Sequence, residues 1–248
     1  MRHLIFFVMA GLLLASSLVS AGNDGYSVTV GINHAPPYRV VSDKGVTGLY
    51  VDIFNEIAGR IGWQVRYVEA PFRRVLLMME EGEVDVMLGP LKSEKREQLM
   101  AFVAPVFPPE PKLFFYHRDE NRITGYDDLY GKKIGVLSGA SYFEQFDNDE
   151  ELIKEPIARY ENLMRMLEMG RVDVVVAPEL VGRYTVKNLG VDVAVSPYQV
   201  PGEHSYIAIS RKSPVLSRQD QVNKMFEQIR QDGTYDRLVR GYRDYASK

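Results

Sequence analysis

Short runs of β-branched and apolar residues alternate with longer amphipathic stretches along most of the chain. In the first third this pattern predicts strand, helix, strand, helix and strand over 26–32, 50–61, 63–68, 72–81 and 84–88. Pro71 stands immediately before the second of these helices, a favoured place for proline. Such regular alternation predicts an α/β fold with parallel strands.

Parts of the pattern occur twice. The stretch GEVDVMLGP at 82–90 returns as GRVDVVVAP at 170–178, and GINHAPPY at 31–38 has a counterpart in GVLSGASY at 135–142. Both matches keep the same order along the chain. The repetition therefore predicts two similar α/β lobes, the first beginning near residue 26 and the second near residue 113.

Two proline-containing segments are expected to connect these lobes. APVFPPEPKLFFY, with Pro105, Pro108, Pro109 and Pro111, forms a stiff extended connector, and a second crossing lies near SPYQVPGEHSYIAIS. The strand predicted at 206–210 and a helical tail at 216–242 then return to the first lobe. Two crossings make a hinge with a cleft beside it. The expected division is 22–108 plus 201–248 for lobe 1 and 109–200 for lobe 2.

The first 21 residues have the pattern of a secretory signal peptide. An apolar run from Leu4 to about Leu18 follows a short basic start, and small residues lead to cleavage after Ala21. The run is shorter than the roughly 20 residues of a spanning helix. We therefore expect a periplasmic protein that is soluble after cleavage.

Composition narrows the possible chemistry. The chain has no cysteine, so neither a disulfide nor a lipid-modified cysteine is expected. A net charge of -3 gives no sign of nucleic-acid binding, and the four histidines lack zinc-ligand spacing. No catalytic nucleophile motif or phosphate loop is present, and no cofactor or metal is expected.

Ligands of open parallel sheets bind beyond the carboxyl ends of the strands, and four predicted loops leave such ends. They span 33–39, 88–93, 138–142 and 177–179. Tyr38 offers an aromatic face to a ligand, or else packs over the lobe edge. Arg96 occupies the first turn of a helix that Ser93 is predicted to cap, where a cation is disfavoured. It either binds a carboxylate with its planar fork or pairs with a neighbouring acid.

The third loop predicts an anion seat. Gly139, Ala140 and Ser141 precede a predicted helix at 142–146 that begins with Tyr142, so exposed N–H groups and the Ser141 hydroxyl can meet an anion. An ordinary serine N-cap explains the same pattern without a ligand. Phe72 ends an apolar helix face and belongs either to the core or to the cleft wall.

Taken in order, six stretches resemble the family 3 periplasmic solute-binding proteins, the amino-acid receptors of bacterial ABC transporters. They are VGINHAPPY, GLYVDIFNEIAGRIG, MEEGEVDVMLGPLKSEKRE, YDDLYGKKIGVLSGAS, GRVDVVVAP and IRQDGTYDRLVRGY. The resemblance covers the whole mature chain. It implies a type II periplasmic binding protein fold, in which two Rossmann-like lobes are joined by a two-strand hinge.

The resemblance also implies roles for individual residues. Arg96 would grip the ligand carboxylate and Ser141 would seat it from the second lobe, while Tyr38 and Phe72 form aromatic walls. The expected ligand-contact residues are Tyr38, Phe72, Gly89, Leu91, Arg96, Ala140, Ser141, Tyr142, Pro178 and Glu179.

Two of these positions depart from the family pattern, because Leu91 and Pro178 stand where relatives have a hydroxyl residue and an aspartate for the ligand ammonium. Either the ligand need not be a standard α-amino acid, or Glu179 replaces the missing aspartate.

The expected function is capture of a small carboxylate-bearing ligand and its delivery, by a monomer, to an ABC permease. Two alternatives share the same fold. One is an enzyme similar to cyclohexadienyl dehydratases, with Glu179 as general acid. The other is a free-standing sensor that presents its ligand-bound form to a signalling receptor.

Overall fold

The computed structural model describes residues 26–103 and 106–246. The predicted signal peptide lies outside these residues, as does Pro105 of the predicted connector. Within the described ranges, no helix combines the length and apolar character needed to cross a membrane.

Twelve strands and eight α-helices make up the described chain. The strands are β1 (Ser27–Ile32), β2 (Val40–Ser42), β3 (Gly45–Thr47), β4 (Gln64–Glu69), β5 (Val86–Leu88), β6 (Met100–Phe102), β7 (Lys112–Tyr116), β8 (Lys133–Leu137), β9 (Ile153–Ile157), β10 (Val174–Pro178), β11 (Ala194–Val200) and β12 (Ile207–Ser210). The helices are α1 (Leu49–Ile61), α2 (Phe72–Glu81), α3 (Glu94–Glu97), α4 (Glu144–Asn148), α5 (Tyr160–Glu168), α6 (Glu179–Leu189), α7 (Gln219–Gln231) and α8 (Thr234–Ala246).

The strands form two five-stranded sheets, and β2 and β3 form a separate hairpin. The first sheet has the order β4-β1-β5-β12-β6 and the second the order β11-β7-β10-β8-β9. We call the parts of the chain built on them lobe 1 and lobe 2. The α/β architecture with two lobes agrees with the sequence-based prediction, whereas the lobe boundaries at 108/109 and 200/201 stay a prediction.

The prediction of parallel strands is only partly correct. β1 pairs in parallel with β4 and β5, and β8 with β9 and β10, but β12 runs antiparallel to β5 and β6, and β7 antiparallel to β10 and β11. β7 and β12 are the first strands after each passage between the sheets. The chain therefore enters each sheet from the hinge side, opposite to the direction of that sheet's other central strands.

Helix α2 spans the predicted range, and Ser93 caps α3 by accepting a hydrogen bond from the Arg96 amide. Two other helices differ from prediction. The tail forms α7 and α8 instead of one helix, with Gly233 at a φ of 76° between them. The short helix of the third loop begins at Glu144 instead of Tyr142.

The repeated Val-Asp-Val motif has the same structural role in both lobes. The Asp85 carboxylate accepts a hydrogen bond from the Thr29 amide at 2.8 Å, and the Asp85 amide donates to the Thr29 carbonyl. Asp173 makes the equivalent two hydrogen bonds with Lys133 at the start of β8. Each aspartate thus ties the turn after a helix to the parallel strand next to the one that follows it, which explains why the motif occurs twice.

The two passages between the lobes lie side by side. Phe107 and Ser205 form an antiparallel bridge, and His204 Nδ1 lies 3.0 Å from the Phe107 carbonyl oxygen. At the lobe 2 end, Lys112 pairs with Val200 across β7 and β11. Adjacent crossing segments form a two-stranded hinge, which leaves the opposite side of the lobes as a cleft.

Two helical glycines differ sharply in their surroundings. Gly59 on α1 is exposed with open space around it, whereas a side chain at Gly182 on α6 would overlap the Phe115 ring of β7. We expect Gly59→Ala to raise the free energy of unfolding by about 0.5–1 kcal/mol through helix propensity. Gly182→Ala should instead lower it by about 1–3 kcal/mol because of the overlap. Denaturant unfolding of both variants tests this, and an equal effect of the two substitutions would contradict the close packing of α6 on β7.

Candidate functional site

A cavity of about 70 Å³ lies between the lobes, where loops from both sheets meet beside the hinge. Nine of the predicted contact residues line it: Tyr38, Phe72, Gly89, Leu91, Arg96, Ala140, Ser141, Tyr142 and Pro178. The sequence-predicted loops therefore converge on one enclosed space.

Arg96 reaches across this space from lobe 1. Its guanidinium donates from Nη1 to the Leu91 carbonyl at 2.8 Å and from Nη2 to the Gly139 carbonyl of lobe 2 at 3.0 Å. The side chain is buried and lies over the Phe72 ring. Burial lowers the pKa of Arg96, although Asp147 partly offsets this effect. Because Ser93 caps α3, the helix begins where the Arg96 side chain can reach the other lobe.

The third loop offers an anion fewer free hydrogen-bond donors than predicted. The Ala140 amide already donates to the Leu137 carbonyl, and the Tyr142 amide donates to the Asp147 carboxylate at 3.0 Å. Ser141 lines the cavity, and its hydroxyl has no hydrogen-bond partner among the described residues. What the loop offers a ligand is therefore the Ser141 side chain and not a series of amides.

Aromatic side chains form one wall of the cavity. The ring of Tyr38 stacks on Tyr50 at 4.3 Å between centroids, and Tyr50 stacks on Phe107 of the hinge at 3.7 Å. In the other lobe, the Tyr142 hydroxyl accepts a hydrogen bond from the Leu137 amide at 2.8 Å. Burial raises the pKa of Tyr38 and of Tyr142, so both hydroxyls are neutral donors at physiological pH.

Glu179 does not line this cavity, contrary to prediction. Its carboxylate pairs with Arg183, four residues along α6, at 2.9 Å. Glu110 lies in the cavity instead and accepts a hydrogen bond from the Leu180 amide at the start of α6. Glu110 and Glu179 both lie at the start of α6, but of the two only Glu110 lines this cavity.

Glu110 and Lys112 were missed by the sequence analysis, which treated their proline-rich segment only as a connector. Both are buried, and Lys112 Nζ donates to the Glu110 carbonyl at 3.1 Å. Burial raises the pKa of Glu110 to about 7, partly offset by hydrogen bonds from Tyr38 and Leu180. The sequence signal that could have identified these two residues was an acidic and a basic side chain in a hinge segment that is otherwise apolar and proline-rich.

Arg39 was also missed, although it follows the predicted Tyr38. Its guanidinium is buried in the cavity wall and donates from Nη1 to the Leu88 carbonyl at 2.8 Å. Gly89 makes this position possible, since any side chain there would overlap Arg39 and Tyr50, and its φ of 91° favours glycine. Burial lowers the pKa of Arg39.

Two side-chain contacts, of which Arg159–Glu69 is an ion pair, join the lobes outside the cavity. Arg159 of lobe 2 lies 3.2 Å from Glu69 of lobe 1, and His34 Nε2 lies 3.6 Å from the Glu161 carboxylate. The Val41 amide donates to His34 Nδ1 at 3.1 Å, which leaves Nε2 to carry the proton toward Glu161. These contacts and Arg96 hold the lobes against each other.

Two hinged lobes with a cavity between them that is lined by charged and aromatic side chains define a ligand-binding protein. The chain belongs to the bacterial extracellular solute-binding proteins, family 3, whose model matches residues 28–244.

Known relatives resemble the chain over nearly its full length. It is 25% identical over 248 residues to the histidine-binding periplasmic protein of Escherichia coli K12, covering 94% of this chain and 95% of that protein. It is 23% identical over 246 residues to a putative amino-acid ABC transporter-binding protein of Vibrio harveyi, covering 96% of each. The structure of an ancestral arginine-binding protein bound to glutamine has a TM-score of 0.74 and 26% identity, covering 86% of this chain and 96% of that one.

The raised pKa of Glu110 predicts a specific pH dependence of stability. The folded protein holds this proton up to about pH 7, whereas the unfolded chain releases it near 4.5. The contribution of Glu110 to the free energy of unfolding is therefore fully present below about pH 4.5. It decreases by up to about 3 kcal/mol as the pH rises toward 7. Glu110→Gln stays neutral, so its stability relative to the wild type should increase over this range.

Chemical denaturation of the wild type and Glu110→Gln between pH 4.5 and 8 measures the effect. Glu80→Gln is the matched control, because Glu80 is an exposed carboxylate on α2. Parallel stability curves for the wild type and Glu110→Gln would contradict the assigned burial.

Proposed function

We propose that this solute-binding protein captures a small carboxylate-bearing ligand, an amino acid or a related compound, between its lobes and delivers it to an ABC permease. The observation that carries this proposal is the position of Arg96. A buried cation from lobe 1 reaches lobe 2 at Gly139, beside the Ser141 hydroxyl. A carboxylate at this point would contact both lobes and hold them closed.

The contacts of Arg96 suit exchange for a carboxylate. Its guanidinium donates only to main-chain carbonyls, and within the described chain it lies more than 4 Å from any carboxylate oxygen. A buried cation without an anion is costly, while bonds between guanidinium and carboxylate are short, strong and often bidentate. Ligand binding would supply the missing negative charge.

Glu110 supports an amino-acid ligand despite the departures at Leu91 and Pro178. Those two residues offer the cavity no acidic side chain, and Glu179 does not line it. Glu110 is the buried acid of the cavity and takes over the role of partner to a ligand ammonium. A bound ammonium would favour its charged form and lower its pKa. The relatives named for histidine and for arginine support the same ligand class.

Export, delivery and the monomeric state belong to the same proposal. The predicted signal peptide and the periplasmic relative support a place outside the cytoplasm, and the Vibrio relative supports delivery to an ABC transporter. Closure of the lobes around the ligand would present one continuous surface to the permease. The protein acts as a monomer, because each copy contains both lobes and a complete cavity.

Arg96→Ala should weaken binding of a carboxylate ligand by at least about 30-fold, since the loss of one partner in a buried charged pair costs 2 kcal/mol or more. Isothermal titration calorimetry with a panel of amino acids identifies a ligand and measures the loss. Lys95→Ala is the control, because Lys95 is the adjacent exposed cation. Unchanged affinity of a folded Arg96→Ala protein would overturn the proposal.

A second candidate, an enzyme similar to cyclohexadienyl dehydratases, is favoured by one observation. Glu110 lines the cavity and has a pKa of about 7, which suits a general acid. The sequence analysis gave that role to Glu179, whose side chain lies outside the cavity. We expect no aromatic product when the purified protein is incubated with prephenate or arogenate. Turnover that is lost in Glu110→Gln would establish the enzyme instead.

A further inference from the structure

Two buried cations besides Arg96 line the same cavity. Arg39 and Lys112 are 6% and 5% exposed, so neither has free access to bulk water. The carboxylate site formed by Arg96 and Ser141 uses neither of them. The cavity therefore contains more positive charge than capture of one carboxylate explains.

The donors of Arg39 are only partly used. A guanidinium has five N–H groups, and those of Arg39 meet two main-chain oxygens, Leu88 at 2.8 Å and Asn33 at a long 3.4 Å. Both acceptors are neutral. No carboxylate oxygen of the described residues lies within 4 Å of this guanidinium. These hydrogen bonds orient Arg39 and leave its charge without a counterion.

Lys112 shows the same arrangement at the hinge. Its ammonium donates to the Glu110 carbonyl at 3.1 Å, and no described carboxylate oxygen lies within 4 Å of it. Burial lowers the pKa of Lys112, an effect that Glu110, Glu203 and Asp147 oppose. A main-chain carbonyl again holds the cation in place.

The acids around the cavity do not balance the three cations. Glu110 is the buried one, and burial raises its pKa to about 7, so it is only partly charged at neutral pH. Glu203 and Asp147 are exposed, where water and salt screen their charges. Asp147 also accepts two hydrogen bonds from the Tyr142 amide. The enclosed space is therefore positive overall.

We propose that the natural ligand is a small dicarboxylate with a net negative charge, whose second carboxylate binds at Arg39 and Lys112 while the first binds at Arg96. This inference rests on the proposed function and narrows its ligand class. A second carboxylate would supply the counterion that both cations lack. The planar fork of Arg39 suits a carboxylate, and the compact ammonium of Lys112 adds charge from the hinge side. Such a ligand would contact lobe 1, lobe 2 and the hinge together.

The test compares each acid with its own monoamide, which has nearly the same shape but lacks the second charge. The probes are L-glutamate with L-glutamine, L-aspartate with L-asparagine, and succinate with succinamate. Calorimetric titration of the full-length mature protein at pH 7.5 should show at least one acid binding tenfold or more tightly than its amide. The pair without an amine tells whether the ligand also needs an ammonium.

Variants assign the preference to the two cations. In Lys112→Gln and in Arg39→Gln, the acid and its amide should bind within about threefold of each other, mainly because the acid is bound less tightly. Lys95→Gln is the matched control and should keep the preference, since Lys95 is exposed. Thermal unfolding checks that each variant is folded, and Lys112→Gln keeps the test valid if Arg39→Gln does not fold.

The outcomes separate this inference from the proposed function. If an amide binds as tightly as its acid and Arg96→Ala abolishes that binding, the dicarboxylate inference fails and the proposed function stands. A preference for the acid that survives in folded Lys112→Gln also overturns the inference. If none of the six compounds binds while another amino acid of the wider panel does, the dicarboxylate inference fails and the proposed function stands.

Discussion

A single buried carboxylate, that of Glu110, connects the parts of this molecule that have to move together. It accepts the Leu180 amide at the start of α6 and lines the cavity together with Tyr38 of lobe 1. A buried carboxylate needs such partners, because without them its desolvation is costly. The start of a lobe 2 helix, a lobe 1 loop and the hinge are therefore positioned by the same group. That group also faces the cavity, so the geometry of the hinge and the chemistry of the site cannot be changed separately.

The three cavity cations follow one structural pattern. Arg39, Arg96 and Lys112 each donate to main-chain carbonyls, and in the described chain none has a carboxylate within ion-pair distance. A hydrogen bond to a carbonyl orients a cationic side chain, but it stabilises the charge much less than a hydrogen bond to a carboxylate would. The cations are thus oriented while their charge stays available. Cationic side chains that are already oriented lose less conformational entropy when a ligand binds.

The sequence predicted those features that local chemistry determines. The bounds of α2 followed from its amphipathic pattern and from the proline before its first residue. The repeated Val-Asp-Val motif, with a glycine two residues before it, correctly predicted two related lobes. The four strand-end loops contain eight of the nineteen residues that line the cavity. Glu110 and Lys112 could not be found by the same rule, because the hinge and not a strand end brings them in. The misassignment of Glu179 has a similar cause: α6 needed a carboxylate at its start, and a residue 69 positions away supplied it.

The Arg159–Glu69 ion pair and the His34–Glu161 contact lie outside the cavity, yet they have to break whenever the lobes separate. These contacts therefore affect the dissociation rate of the ligand and not the ligand specificity. Arg159 and Glu69 are both partly exposed to solvent, so salt weakens their ion pair. The time that a captured solute spends inside the protein thus depends on the ionic composition of the surrounding fluid, even when the binding cavity itself is unaltered.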